Sequence, residues 1–301
     1  MTGLISKSFG FTASLVARLL ALTLLAGFGV FGQVVYGFGE ANAQSRPTIP
    51  NFWDPQEQFV KPDISNRPRL RFLTTTDFPP FSYIDERKQL SGFHVDLARA
   101  ICAELSLDAV CQIQALPFDD LVSALGRGAG DAILAGQAVT ATSRRQIEFT
   151  RPYFHLPARF IMRLGEEAQP PLASGLRGKR IGVVMSSAHA AYAQAWFGDM
   201  VLNVFDTQDA ALAALESKKI DAFFGDALSL SFWMQQRLNR PCCAFVGGPF
   251  LSNTYFGNGM AIGVAKDDAA LTNALNFALR SINDKGTFAE LYLRYFPISL
   301  Y

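Results

Sequence analysis

Few side chains in this sequence are equipped for covalent chemistry. Three histidines and four cysteines in 301 residues form no recognised metal-ligand pattern and leave little material for a multi-metal or haem site. No Gly-rich loop ending in Lys-Ser or Lys-Thr follows residue 43, so a nucleotide phosphate finds no cradle of that type. What remains is chemistry of recognition. Asp226 closes the run Asp221-Ala222-Phe223-Phe224-Gly225; an ionised carboxylate there would receive an ammonium group, and its plainer role is a turn or helix cap. Ser186-Ser187 follows Gly182-Val183-Val184 and opens a helical pattern. The unpaired N–H groups of such a helix start around Ser187 and Ala188 receive an anion without needing a particular side chain. His189 beside them is either a ligand contact or an exposed helical residue.

Alternating strands and helices must position these residues. Leu70-Arg71-Phe72-Leu73-Thr74 suits a strand, and Asp77-Phe78-Pro79-Pro80-Phe81 a rigid turn after it. Phe93, Leu97, Ala98, Ile101 and Leu105 recur at helical spacing. Phe118 through Leu125 reads as a helix ended by Gly126 and Gly128, with a strand over 131–136 behind it. The second half repeats the scheme: a strand at 178–184, a helix at 209–217, a strand at 221–226. Each half carries a helix, a tight turn, Asp-Ala, two bulky apolar residues and a small one. That echo supports two βα lobes. Strands alternating with helices favour largely parallel sheets, whose ligands sit beyond the carboxyl ends of the strands. The rule points to Thr75–Phe78, Gly136–Ala138, Ser186–His189 and Asp226.

With 27 basic and 26 acidic side chains the formal net charge is +1, which lacks the basic footprint of nucleic-acid binding. Lys7 and Arg18 precede an apolar stretch from Leu19, no charge follows until Glu40, and Ala41-Asn42-Ala43 gives a small-x-small pattern. Residues 1–43 are therefore expected to be a cleaved export signal; the alternative is an uncleaved anchor. Residues 44–66 are Pro-rich and polar, an extended arm in which Phe52-Trp53 either pins the arm to the body or faces a partner. Export makes the cysteines potential disulfides. Cys102–Cys111 is favoured as a helix-to-strand staple; a bond between the adjacent Cys242 and Cys243 would strain the peptide joining them, and other pairings or free thiols stay open.

In segment order the chain resembles the family 3 periplasmic solute-binding proteins, which include polar amino-acid receptors of ABC importers. The likeness rests on Phe78-Pro79-Pro80-Phe81, on Gly92-Phe93-His94-Val95-Asp96-Leu97, on 131–140 followed by Phe149-Thr150-Arg151-Pro152-Tyr153, and on 255–268 followed by Gly286-Thr287-Phe288. It implies an α/β, two-lobed periplasmic-binding-protein fold of type II with two crossing strands at the hinge. Lobe one would hold 67–155 and 259–301, and lobe two 156–258, with crossings near Phe154–Pro157 and Phe256–Met260. It also implies a pocket. Phe78 falls where an aromatic ring packs on the ligand, Phe118 near a second apolar wall, and Asp226 where an acid receives the ligand ammonium. Gly136, Ala138, Ser187 and Ala188 fall on the lining, and Ala138 and Ala188 stand where polar residues are common. Thr75 stands where some receptors of cationic amino acids have an acid. Ser143 replaces the usual carboxylate-clamping arginine; Arg144, next to it, either takes over or is a solvated helix charge. His94 replaces an acid, a change expected to touch the surface or the helix start.

The resemblance implies a monomeric periplasmic receptor that hands a small polar solute, an amino acid or related amine, to a membrane ABC permease, with no cofactor and no covalent chemistry. Two rivals stand beside it. One is an exported enzyme similar to the cyclohexadienyl dehydratases on the same scaffold; the other is a sensory or assembly protein acting through an exported partner.

Overall fold

The computed structural model describes residues 49, 51, 53, 54, 56–168, 170, 172–296 and 298–301. The expected export signal, the first residues of the arm and Phe52 lie outside them. The first group of elements is β1 (Leu70–Thr74), β2 (Asp77–Phe78), β3 (Ser82–Ile84), β4 (Leu90–Ser91), α1 (Phe93–Leu105), β5 (Cys111–Ala115), α2 (Leu121–Gly126), β6 (Ala132–Ile133), α3 (Ser143–Gln146) and β7 (Ile147–Phe149). The second is β8 (Ala158–Arg163), α4 (Leu172–Gly175), β9 (Arg180–Val184), α5 (Ala188–Trp196), β10 (Val201–Phe205), α6 (Gln208–Glu216), β11 (Ala222–Asp226), α7 (Ala227–Gln235) and β12 (Cys243–Phe250). The chain then returns through α8 (Asn253–Phe256), β13 (Gly263–Ala265), α9 (Ala269–Asp284) and α10 (Thr287–Tyr295).

Two five-stranded sheets result, ordered β5-β1-β6-β13-β7 and β10-β9-β11-β8-β12. In each, three strands run parallel and the fourth is antiparallel to them: β13 pairs antiparallel with β6, and β8 with β11. Each antiparallel strand is the one the chain reaches by crossing from one sheet to the other. The first strand lies inside the parallel part, between β5 and β6. All five residues of β1 are buried, as expected of a strand covered by helices on both faces.

The Asp-Ala echo in the sequence has a common structural cause. In the first sheet the Asp131 carboxylate accepts hydrogen bonds from the Arg71 backbone N–H (2.8 Å) and from its Nε (3.1 Å), and Arg71 Nη2 also donates to the Gly128 carbonyl. In the second sheet Asp221 accepts from Arg180 N (2.8 Å) and Nε (3.1 Å), and Arg180 Nη2 donates to the Lys218 carbonyl. The same clasp thus fastens a strand to its parallel neighbour and to the turn before that neighbour.

Helix α1 buries Phe93, Leu97, Ala98, Ile101 and Leu105 in a core with Phe81, Phe154, Tyr292 and Phe296. The rings of Phe93 and Phe154 meet edge to face, 5.7 Å between centroids, a favoured aromatic geometry. His94 belongs to this core. Of the two places expected for this change, the helix start holds, since His94 is the second residue of α1, and the surface fails, because the ring is 1% exposed and lies against Phe81 at 4.9 Å. Nε2 meets the Tyr153 hydroxyl at 2.7 Å, and Nδ1 has no partner. Desolvation pushes the imidazole pKa down to about 3, so it stays neutral.

The disulfide Cys102–Cys111 joins the end of α1 to the start of β5, with Cα atoms 6.2 Å apart. Cys242 and Cys243 are bonded to each other at the start of β12. The strain argued against that pairing does not prevent it here, and four cysteines make two bonds. On the arm, Trp53 is buried and meets Phe59 edge to face, while Glu57 pairs with Arg151 at 2.5 Å. The arm is pinned against the first sheet's helices: Arg280 of α9 donates to the Asp54 carbonyl.

The sheets are joined where 154 and 260 run side by side. Met260 N–H donates to the Phe154 carbonyl and Tyr153 N–H to the Met260 carbonyl (2.9 Å). Gly259 is required there, because its φ is +84° and an added Cβ would sit 2.7 Å from the Phe154 carbonyl oxygen. The last residues also touch both lobes. Leu300 is buried in the first core, Arg159 of β8 donates to the Leu300 carbonyl, and the Tyr301 hydroxyl donates to the His155 carbonyl.

Candidate functional site

On the first sheet, the carboxyl ends of β1 and β6 present an aromatic shelf. Phe78 stacks on Phe81 with centroids 4.7 Å apart, so one ring is held by the core while Phe78 stays half-buried. Gly136 lies under it: an added Cβ would stand 2.8 Å from Phe78 Cε1, and φ is +71°. Phe78, Gly136 and Ala138 line a cleft of about 260 Å³ with Leu156 and the crossing segment Phe256–Met260. Gln137 also lines it; this side chain is 8% exposed and its Nε2 has no hydrogen-bond partner. Thr75 is buried at the end of β1, and its hydroxyl donates to Asp77.

The other positions flagged on this side stand apart. Phe118 starts a 3-10 turn ahead of α2 and is 44% exposed; it does not line the cleft with Phe78. Ser143 opens α3. Its hydroxyl donates to the Ala138 carbonyl (2.7 Å) and accepts from Thr140 N–H (2.9 Å), so it locks a turn. Arg144 is exposed, and its guanidinium lies over the Phe149 ring at 5.8 Å. Neither supplies a cation to the cleft lining.

The second sheet contributes helix starts. Ser187 caps α5: its hydroxyl accepts from Ala190 N–H and donates to the Val184 carbonyl. That places the first N–H groups of α5, at Ala188 and His189, beyond β9. Asp226 ends β11 and caps α7, with Oδ1 accepting from Ser229 N–H at 2.8 Å. The cap takes one carboxylate oxygen, and Oδ2 makes no hydrogen bond within the described residues. His189 is partly buried, and burial lowers its pKa while the Asp226 charge opposes that shift. The His189 ring stacks on Phe256, 5.1 Å between centroids. Phe256 is therefore the link that sequence reasoning missed: it lines the first sheet's cleft and packs on the histidine beside Asp226. Its aromatic type in the crossing segment was the available signal.

Among the described residues no group of His, Cys, Asp or Glu side chains is arranged to hold a metal ion, and no helix is long and apolar enough to cross a membrane.

Two sheets with this strand order, exchanging one antiparallel strand each across paired crossings, form the type II binding-protein fold. The model of the bacterial extracellular solute-binding proteins, family 3, matches residues 70–298, and this chain belongs to that family. The chain is 31% identical over 227 residues, 75% of its length, to a putative ABC transporter arginine-binding protein 2 of Escherichia coli, 90% of which is covered. The fold is also that of substrate-binding domain 2 of Lactococcus lactis GlnP in its open conformation (TM-score 0.64, 18% identity, 77% of this chain and 96% of that one). An ancestral cyclohexadienyl dehydratase shares it too (TM-score 0.63, 20% identity, 78% and 95%).

Proposed function

We propose that this protein is a periplasmic receptor that encloses a small polar solute, an amino acid or a related amine, between its two sheets and delivers it to a membrane ABC permease. The observation that carries the reading is the pairing of a held aromatic shelf at Phe78 with a carboxylate at Asp226, joined through Phe256 and His189. Phe78 would carry the apolar part of the solute. Asp226, its remaining oxygen turned to no protein donor, would receive the amine. The arginine-binding relative supports a nitrogen-rich, cationic solute. Closure about Phe154–Pro157 and Phe256–Met260 would bring the two halves together, driven only by the difference in affinity between open and closed states.

Mass spectrometry of solute released from gently purified protein identifies the ligand, and calorimetric titration with that ligand tests the anchor. Asp226→Asn keeps the shape and removes the charge. Loss of one partner of an enclosed charge pair costs about 2–5 kcal/mol. Binding within about twofold of the parent, far inside that range, would remove Asp226 from the site. The same titration followed by product analysis separates a receptor from a dehydratase, since only the enzyme returns a changed solute.

A further inference from the structure

We infer that the cleft is built for a solute with two cationic groups and no carboxylate, a diamine or guanidino-amine, with its second cationic group at Asp77. This rests on the reading of Asp226 as the amine anchor. The polar groups available on the two sides decide the matter. Asp77 immediately precedes Phe78 in β2, is exposed, and accepts the hydroxyl hydrogen of Thr75 at the end of β1. A buried threonine thus fixes a carboxylate beside the aromatic shelf. Asp226 offers the second carboxylate from the other sheet. Among the described residues neither has an arginine or lysine within ion-pair distance.

No fixed positive charge opposes them. Ser143 spends its hydroxyl on the Ala138–Thr140 turn, and Arg144 lies on Phe149. Burial keeps His94 and His189 toward their neutral forms. The other buried polar group at the cleft, Gln137, is neutral and its amide nitrogen is unpartnered, which suits a hydrogen-bonding solute but neutralises no charge. If both carboxylates face one enclosed solute, they are compensated when that solute carries two positive charges; adding a carboxylate to it would leave the closed cleft with an uncompensated negative charge. The α5 N–H groups at Ala188 and His189 are the competing feature, because a helix start can hold a carboxylate.

The test compares matched probes that differ in the carboxylate alone: arginine against agmatine, and lysine against cadaverine. Each is titrated calorimetrically into the parent, Asp77→Asn, Thr75→Val and Asp226→Asn proteins, with thermal unfolding to show that each variant is folded. Agmatine or cadaverine should bind at least about tenfold more tightly than its amino acid, since one uncompensated enclosed charge costs more than the 1.4 kcal/mol that tenfold represents. Asp77→Asn should remove about tenfold or more of that affinity, and Thr75→Val, which frees the carboxylate without deleting it, a smaller part. An amino acid that binds as tightly as its amine, or an Asp77→Asn protein that binds the amine like the parent, overturns the inference while leaving the Asp226 anchor standing. If Asp226→Asn leaves every affinity unchanged, or no probe binds, the anchor and the inference fall together.

Discussion

The two sheets share a strand order and an arginine–aspartate clasp, yet different material stands beyond the carboxyl ends of their strands. The first offers side chains held by packing: Phe78 on Phe81, with Gly136 clearing the space beneath. The second offers the starts of two helices, capped by Ser187 and Asp226. A packed ring is positioned by core density and adapts little. A capped helix start is positioned by hydrogen bonds and brings charge and dipole. One scaffold, used twice, therefore ends in a packed aromatic ring on one sheet and in capped helix starts on the other. The clasps differ in degree: Arg71 and Asp131 side chains are 11% and 17% exposed, against 44% and 22% for Arg180 and Asp221.

That last difference is the strongest way to break the comparison. Asp131→Ala strands a buried guanidinium and should cost about 3–5 kcal/mol. Asp221→Ala leaves the half-exposed Arg180, while the buried Arg163, 3.9 Å from Asp221, keeps Glu166 at 2.6 Å, and the change should cost about 1 kcal/mol. Urea unfolding of both variants checks this; equal losses would mean that burial does not distinguish the clasps.

Next in size is acid sensitivity, which belongs to the first lobe through His94. Its folded pKa lies near 3 against an ordinary 6.5, so below pH 6.5 the unfolded chain binds the proton and the folded chain does not. Stability is then complete above 6.5 and falls as pH drops toward 3, by up to about 1.4 kcal/mol per pH unit. His94→Gln should flatten that fall by about 2 kcal/mol over two units, read as the difference between parent and variant denaturation midpoints at pH 6.5 and 4.5. Parallel curves would show that the imidazole is not what the acid attacks.

Gly136→Ala comes third. A methyl group at φ +71° and 2.8 Å from Phe78 should cost about 1–3 kcal/mol and tilt the shelf, so solute affinity should fall even at temperatures where the variant is fully folded. Unchanged affinity would detach Phe78 from binding. The smallest effect is expected in the second lobe: Ser187→Ala removes a helix cap worth about 1 kcal/mol, and the loss should show in hydrogen exchange of α5 before that of β9. Uniform exchange along both would deny the helix start any independence.

Much of the framework was legible because it is local. β1, α1, α6 and β11 follow from periodicity and small-residue punctuation, and Asp226 stands at a strand end that the parallel-sheet rule singles out. The misses are non-local. The Asp-Ala echo was visible, but its arginine partners lie 60 and 41 positions away. The His94 position at a helix start is legible, its burial is not: Phe78, Phe81 and Tyr153 converge on it from other segments. The strand expected over 131–136 is shorter: it spans Ala132–Ile133 with backbone bonds to β1 from Asp131 and Leu134, and the chain then turns at Gly136, where φ is +71°.

The final residues bear on how the two halves are held together. Two neighbouring crossings alone would act as a pair of pins between the two halves. The tail from α10 adds a tie: Leu300 is seated in one half and receives Arg159 from the other, and the Tyr301 hydroxyl reaches the carbonyl of His155 at the crossing itself. Any swing that parted the two halves at this point would have to give up the Arg159–Leu300 bond, so these residues work as a latch across the seam.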